Sequence, residues 1–399
     1  MKSPVPPTKK RSQPNRVAYP APLEISEVVV GKKIQSLRDC DVFEVKAVEG
    51  NHRGEYDMQS RIARKSLFQE SKDAKSFDRR YAIRFIKEKC MSSHNIFESA
   101  ASRLAKEGDL MIAFNHPNIM RVHGIARDHA EAYYVTGRHD AFFLLYDRIH
   151  ETLHDRIRKW KVRQDRLEMQ SHIPGLKQAV ERKSLELLVQ RLRVAYDIAG
   201  AIEYLHEQRA TLHGLISSDI FGFDHEDTVK LFDFGFVHKN SKADFDDEET
   251  TSIGLIMETR SDVLAFSMML GEMLTFQTLQ NTSNVHNLIS VTGIPNRLVN
   301  ALWNGISADP YQRPSMRMIR HSLQDAIVQF CGKELEEANM HSLLRGTSLK
   351  FNSPVQTKIR RRFSSRSPIP KTESPSTTGS SELDIKLQAS QIPAVPILF

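Results

Sequence analysis

The chain has 399 residues, 40% of them hydrophobic and 26% charged, with a formal net charge of +7. Such proportions belong to globular chains, and the length suits one large domain or two small ones plus tails. No apolar run approaches the ~18–20 residues that cross a bilayer, and the opening MKSPVPPTKKRSQPNRV lacks the apolar core of a secretory signal, so a membrane role is not expected.

The positive charge sits in the tails. Residues 1–22 hold five Lys/Arg and no acid, and residues 345–371 hold eight and no acid. The stretch between them is net acidic, so nucleic acid is not an expected partner of the folded part. Cys40, Cys90 and Cys331 lie far apart. That spacing suits reduced thiols in a cytoplasmic or nuclear, intracellular protein better than a disulfide framework.

In chain order, residues 1–24 read as a disordered basic tail. Strand-like alternation follows in EISEVVVGKKI, DVFEVKAV and RYAIRFI, over 25–50 and 80–87. A helix is expected at about 95–113, then strands at 119–125, 131–136 and 141–147. Helices dominate after about 151. In SLELLVQRLRVAYDIAGAIEYLHEQ, apolar residues recur at 188, 192, 195, 199, 202 and 205, at helical spacing. More helices are expected at 260–275, 295–305 and 315–330. The charged stretch 158–183 reads as a surface insert suited to a partner. From about 345 to 399 the chain is rich in Ser and Pro and reads as disordered. Strands first and helices after argue for an α+β fold in two lobes.

Six stretches, in order, resemble the protein kinase superfamily. YAIRFI (81–86) resembles the lysine-bearing strand of the small lobe. LAKEGDLMIAFNHPNIMRVHG (104–124) resembles the following helix and turn, and FFLLYDRI (142–149) the strand entering the hinge. KLFDFGF (230–236) resembles the DFG metal motif. TRSDVLAFSMMLGEMLT (259–275) and LWNGISADPYQRPSM (302–316) resemble the large lobe's central helix and closing region. The resemblance implies a bilobal kinase-like domain over 25–333, with a small β-rich N-lobe at about 25–147 and a helical C-lobe at about 151–333. It implies ATP and Mg²⁺ as ligands, met by Val42, Ala82, Arg84, Glu107, Asp219 and Asp233, with Asp219 and Asp233 on the metal.

Phosphoryl transfer depends on positioning and charge neutralisation, and residue by residue the catalytic set is depleted. At the family's three loop glycines stand Gln35, Leu37 and Cys40, ahead of Val42. Side chains there oppose close approach of backbone to phosphate, so an ordinary hairpin is expected. Arg84 replaces the strand lysine, a bulkier planar fork rather than a point charge. Glu107 is its expected ion-pair partner, and Lys46 is a remote substitute for the lysine.

Aligning LISSDI (215–220) with the family's catalytic loop puts the catalytic aspartate on Gly214, and a shifted register puts it on Leu215. Neither accepts a hydroxyl proton. His213 is expected to pack beneath the metal motif. The chain therefore reads as a pseudokinase, a binding or allosteric signalling module. The alternative is a divergent serine/threonine kinase with residual transfer through Asp233 and Asp219.

Three further features stand apart. ADFDDEETTS (243–252) reads as an acidic solvated loop. In it, or at Glu258, stands the expected partner of Arg313. KIRRRFSSR (358–366) suits acidic partners, the acidic loop among them, and RRFS marks Ser364 for an arginine-directed kinase. HETLH (150–154) matches the H-E-x-x-H zinc motif, but no third ligand is identifiable and no zinc is expected.

Overall fold

The computed structural model describes residues 19–50, 56–73, 77–129, 131–208, 210–212, 215–235, 237–239, 248–277 and 294–344. Both expected tails beyond those limits, the stretch 358–366, Ser364, the acids at 244–247, His213 and Gly214 lie outside the described residues. The chain folds as the expected two-lobed α+β structure.

The small lobe is built on a six-stranded sheet. Its strands are β1 (Ala21–Leu23), β2 (Val28–Ser36), β3 (Cys40–Val48), β4 (Tyr81–Ile86), β5 (Val122–Ala126) and β6 (Phe143–Asp147), in spatial order β1-β5-β6-β4-β3-β2. Only β1 and β5 run parallel. All six residues of β4 are buried, so the strand reads as continuous YAIRFI with one charge inside it. Such a run fits a central strand covered on both faces. Helix α3 (His94–Ala113) packs against the sheet through Phe97, Ala100, Ala101, Leu104 and Met111, a stripe at spacings of three, four and seven.

Three local expectations are corrected. Helix α1 (Met58–Asp73) follows β3, where no element was expected. It is polar overall and is held by a few contacts: Leu67 and Phe68 are buried, and Arg64 pairs with Glu27 and stacks on Tyr56 and Phe68. A one-turn helix, α2 (Phe77–Arg80), leads into β4. Residues 131–136, read as a strand, form α4 (Glu131–Thr136). There Tyr133 inserts beside Phe97 and Phe142 and gives its hydroxyl to the Phe142 carbonyl at 3.2 Å.

The hinge leads to β7 (Glu151–Thr152), α5 (Leu153–Ser171) and α6 (Lys177–Glu207). The stretch read as an insert is thus helical almost throughout. Two long helices meet at a turn where Gly175 takes φ +83°, a conformation that favours glycine. Leu167 and Val180 are the buried residues towards the turn, and Met169, Ile173 and Leu176 are exposed there. The periodic residues Leu188, Leu192, Ala195, Ala199, Ile202 and Leu205 are all buried.

Short strands β8 (Ala210–Thr211), β9 (Phe221–Phe223), β10 (Val229–Leu231) and β11 (His238–Lys239) precede α7 (Glu248–Thr275), α8 (Asn296–Gly305) and α9 (Met316–Leu344). Strands β7, β9 and β10 form a three-stranded sheet beneath the hinge. Helix α7 starts inside the acidic run rather than at 260, and carboxylates at a helix start favour the helix dipole. The lobes are stitched by the HPNI turn. Asn118 donates from Nδ2 to the Val229 carbonyl (2.9 Å), and its own carbonyl accepts from Leu231 N–H (2.9 Å). Among the described residues no helix is long and apolar enough to cross a membrane.

Candidate functional site

Pleating gathers the cleft residues on one face of the sheet. Ala82 and Arg84 are two apart on β4 and so point the same way. Val42 lies opposite Arg84 in the β3–β4 register, and Tyr146 lies opposite Ala82 in the β4–β6 register. All four line a cavity of about 500 Å³ between the lobes, with Glu107 and Asp233. That size is usual for a small-molecule pocket, roughly 300–1,000 Å³.

Arg84 is nine-tenths buried. Its Nη2 meets Glu107 Oε2 of α3 in the expected ion pair, and its guanidinium lies 5.8 Å from the Tyr146 ring centroid. Burial opposes the charge, but the Glu107 carboxylate outweighs it and holds Arg84 above its ordinary pKa. Burial also pushes the Tyr146 phenol up to about 12 and the Cys40 thiol up to about 11. Arg84 Nε has no hydrogen-bond acceptor among the described residues, nor has Nε of Arg148 at the cleft rim.

The roof is the β2–β3 hairpin. Its turn closes with Leu37 N–H on the Cys40 carbonyl at 2.9 Å, and Gln35, Leu37 and Cys40 all line the cavity. Asp39 at the tip pairs with Arg103 of α3, which ties the roof to that helix. Lys46 is exposed and does not line the cleft.

On the floor, Asp233 lines the cavity and accepts Gly235 N–H at 3.0 Å through Oδ1. Phe234 is buried and stacks on Phe114, just past the end of α3, at 6.2 Å. Asp219 stands exposed in the turn before β9, where its backbone N–H meets Ser217 Oγ at 3.4 Å, and it is not part of the cavity wall. Leu215 is exposed and apolar. The chain leading to it is anchored by Asp262 of α7, fully buried, whose Oδ2 accepts from Leu212 N–H and meets His206 Nε2, both at 2.9 Å.

Arg313 is satisfied by carbonyls: Nε donates to Ser307 O (2.9 Å) and Nη1 to Arg260 O (3.0 Å). Glu258 instead accepts from Thr211 Oγ1 at 3.0 Å. The side chains of Glu248 and Glu249 lie outside the described residues. HETLH does not form a zinc helix. His150 precedes β7 and its Nε2 lies 2.7 Å from Arg79 O, whereas His154 lies on α5, which begins only at Leu153. Among the described residues no three His, Cys, Asp or Glu side chains are grouped to hold a metal.

Sequence reasoning missed the unpartnered edge of Arg84, the hairpin's tie through Asp39 and Arg103, and the Asp262 anchor. The residue types were visible, but their pairing needs the register of β3, β4 and β6 and the packing of α7.

Comparison with known proteins agrees with this geometry. The Takifugu rubripes protein described as "Dual serine/threonine and tyrosine protein kinase" is 24% identical over 251 residues, covering 56% of this chain. This chain spans 24% of that relative's length. A family model described as protein tyrosine and serine/threonine kinase matches residues 69–323, from the end of α1 into α9. With that match, the two lobes and the cleft between them, the chain belongs to the protein tyrosine and serine/threonine kinase family.

Proposed function

We propose that this chain is a pseudokinase, a kinase-fold module that signals by binding rather than by phosphoryl transfer. One observation carries the reading. Asp262 fixes the chain at Leu212, and the residues that follow are His213, Gly214 and Leu215, so the catalytic carboxylate is missing in either register. Arg84 for lysine and the absence of glycine at Gln35, Leu37 and Cys40 act in the same direction. General base catalysis contributes roughly 10²–10⁴-fold, and its loss adds to the poorer phosphate grip. Protein partners inside the cell, in cytoplasm or nucleus, would read the state of the cleft, and the basic stretch 358–366 suits acidic ones.

The retained Asp233 on the cleft floor favours one competing reading, a divergent kinase with residual activity. The test is transfer of labelled phosphate from ATP to the chain itself and to a generic protein substrate. The pseudokinase reading expects no incorporation above background in wild type. Incorporation that disappears in Asp233→Ala would establish the kinase instead.

A further inference from the structure

Helix α5 has a buried side and a side that is exposed along its length. Leu153, Ile157, Trp160 and Leu167 pack inward. At about 3.6 residues per turn, the residues on the opposite side are Arg158, Val162, Arg166 and Met169. All four are exposed, Val162 by 50% and Met169 by 68%, and none of them lines the cleft. The seven-residue step from Val162 to Met169 keeps both apolar side chains in line over two turns. One arginine stands four residues before Val162 and another four after it, on the same side. At the turn beyond the helix, Ile173 and Leu176 are exposed as well.

The stripe is positive within a domain that is not. Residues 158–183 hold eight Lys/Arg against three acids, although the chain between the tails is net acidic. On this helix Arg156 and Lys159 are held by Glu151. Arg158, Lys161, Arg163 and Arg166 have no acid partner among the described residues. Two apolar anchors between unpaired guanidiniums complement a helix that carries carboxylates beside its own apolar residues. Two other occupants match the face less well. The α5 of a second copy would bring the same positive stripe, and like charges brought together repel. An anionic lipid surface takes a wider apolar face than two side chains, and it would press on Asp165, which is exposed beside the stripe.

We propose that the outer face of α5 is a docking site for a partner protein presenting an acidic amphipathic helix of about three turns. Its apolar residues seat on Val162 and Met169, and its carboxylates meet Arg158 and Arg166. The face lies outside the cleft, so the proposal goes beyond the pseudokinase reading and stands or falls independently of phosphate transfer.

The experiment titrates the full chain against a labelled, stapled helical peptide with two leucines seven residues apart and glutamates flanking them. The controls are a scrambled peptide of the same composition and a peptide with lysine in place of each glutamate. The glutamate peptide is expected to bind, more weakly as salt is raised, and the scrambled one on the order of tenfold less tightly, since its leucines and acids no longer share a face. Arg158→Glu/Arg166→Glu should lose the glutamate peptide and gain the lysine peptide. Val162→Ser/Met169→Ser should weaken the glutamate peptide by on the order of tenfold, the scale of two small apolar anchors. All four residues are exposed, so the urea midpoints of both variants should stay close to wild type. The comparison of the three peptides on wild type needs no variant at all. Equal binding of the glutamate and scrambled peptides would overturn the proposal, as would binding unchanged in Arg158→Glu/Arg166→Glu or no binding at all. So would sedimentation with phosphatidylserine vesicles, or self-association, that these variants abolish while the wild type shows no preference among the peptides.

Discussion

Asp147, the last residue of β6, holds the His123 imidazole of β5 at 2.7 Å and Lys230 of β10 at 3.2 Å, so one carboxylate joins both lobes at the hinge. Burial alone would raise its pKa. The hydrogen bond and charge of His123, the charge of Lys230 and the N–H of Arg121 outweigh that and hold it well below the usual carboxylate range. A carboxyl whose folded pKa is depressed contributes stability above its unfolded pKa, near 3.9, and loses it as pH falls through the folded value. Asp147→Asn is therefore expected to cost about 2 kcal/mol at neutral pH, within the range for losing a charged hydrogen bond. The gap from wild type should stay constant down to roughly pH 4 and then narrow on further acidification. Urea midpoints measured across that range check it.

Asp262 accepts from a backbone N–H and meets His206 while fully buried. Asp262→Ala leaves the Leu212 N–H without its acceptor and opens space in the core. A loss of about 3 kcal/mol or more is expected, read as a lower denaturant midpoint with unchanged slope. Asp262→Asn keeps one acceptor oxygen and should recover part of the loss.

The pair Arg84 and Glu107 should behave as a unit. Either residue alone leaves a buried charge uncompensated, so Arg84→Met and Glu107→Gln are each expected to destabilise strongly. The double variant should cost less than the two together, with a coupling of about 1–3 kcal/mol in a double-mutant cycle. Additive losses would mean that the contact contributes nothing to the small lobe.

Gly222 in β9 lies where the hinge chain crosses it. A Cβ there would fall 2.8 Å from the Glu151 carbonyl oxygen and against the Ile149 side chain. Gly222→Ala is expected to destabilise by about 1–3 kcal/mol through overpacking. Ile149 and Glu151 line the cleft, and urea midpoints of the variant against wild type check the loss.

Elements that bury a regular stripe or a whole strand were legible. YAIRFI announces a central strand because all six side chains are buried, and α6 announces itself because Leu188 through Leu205 repeat at helical spacing. Where burial is sparse the sequence says little. Helix α1 is anchored mainly by Leu67, Phe68 and Arg64, and α4 carries one inserted ring, Tyr133, in a run whose β-branched and aromatic residues favour a strand. The insert at 158–183 hid two helices because only Trp160, Leu167 and Val180 are buried within it. At the cleft, the residue types Arg84, Glu107 and Asp233 were visible from motif spacing. The outward placement of Asp219 was not, since it depends on how the turn before β9 is packed.

Helix α5 begins with Thr152 as its cap, whose Oγ1 accepts Asp155 N–H at 3.1 Å, and both residues belong to the cleft rim. Its other end lies 19 residues on, about 28 Å away at 1.5 Å per residue. The helix thus runs from the cleft rim to an exposed tip bearing Met169. Leu153, Ile157, Trp160 and Leu167 are buried along its length, so one continuous helix fixes both the rim and the tip to the core of the large lobe.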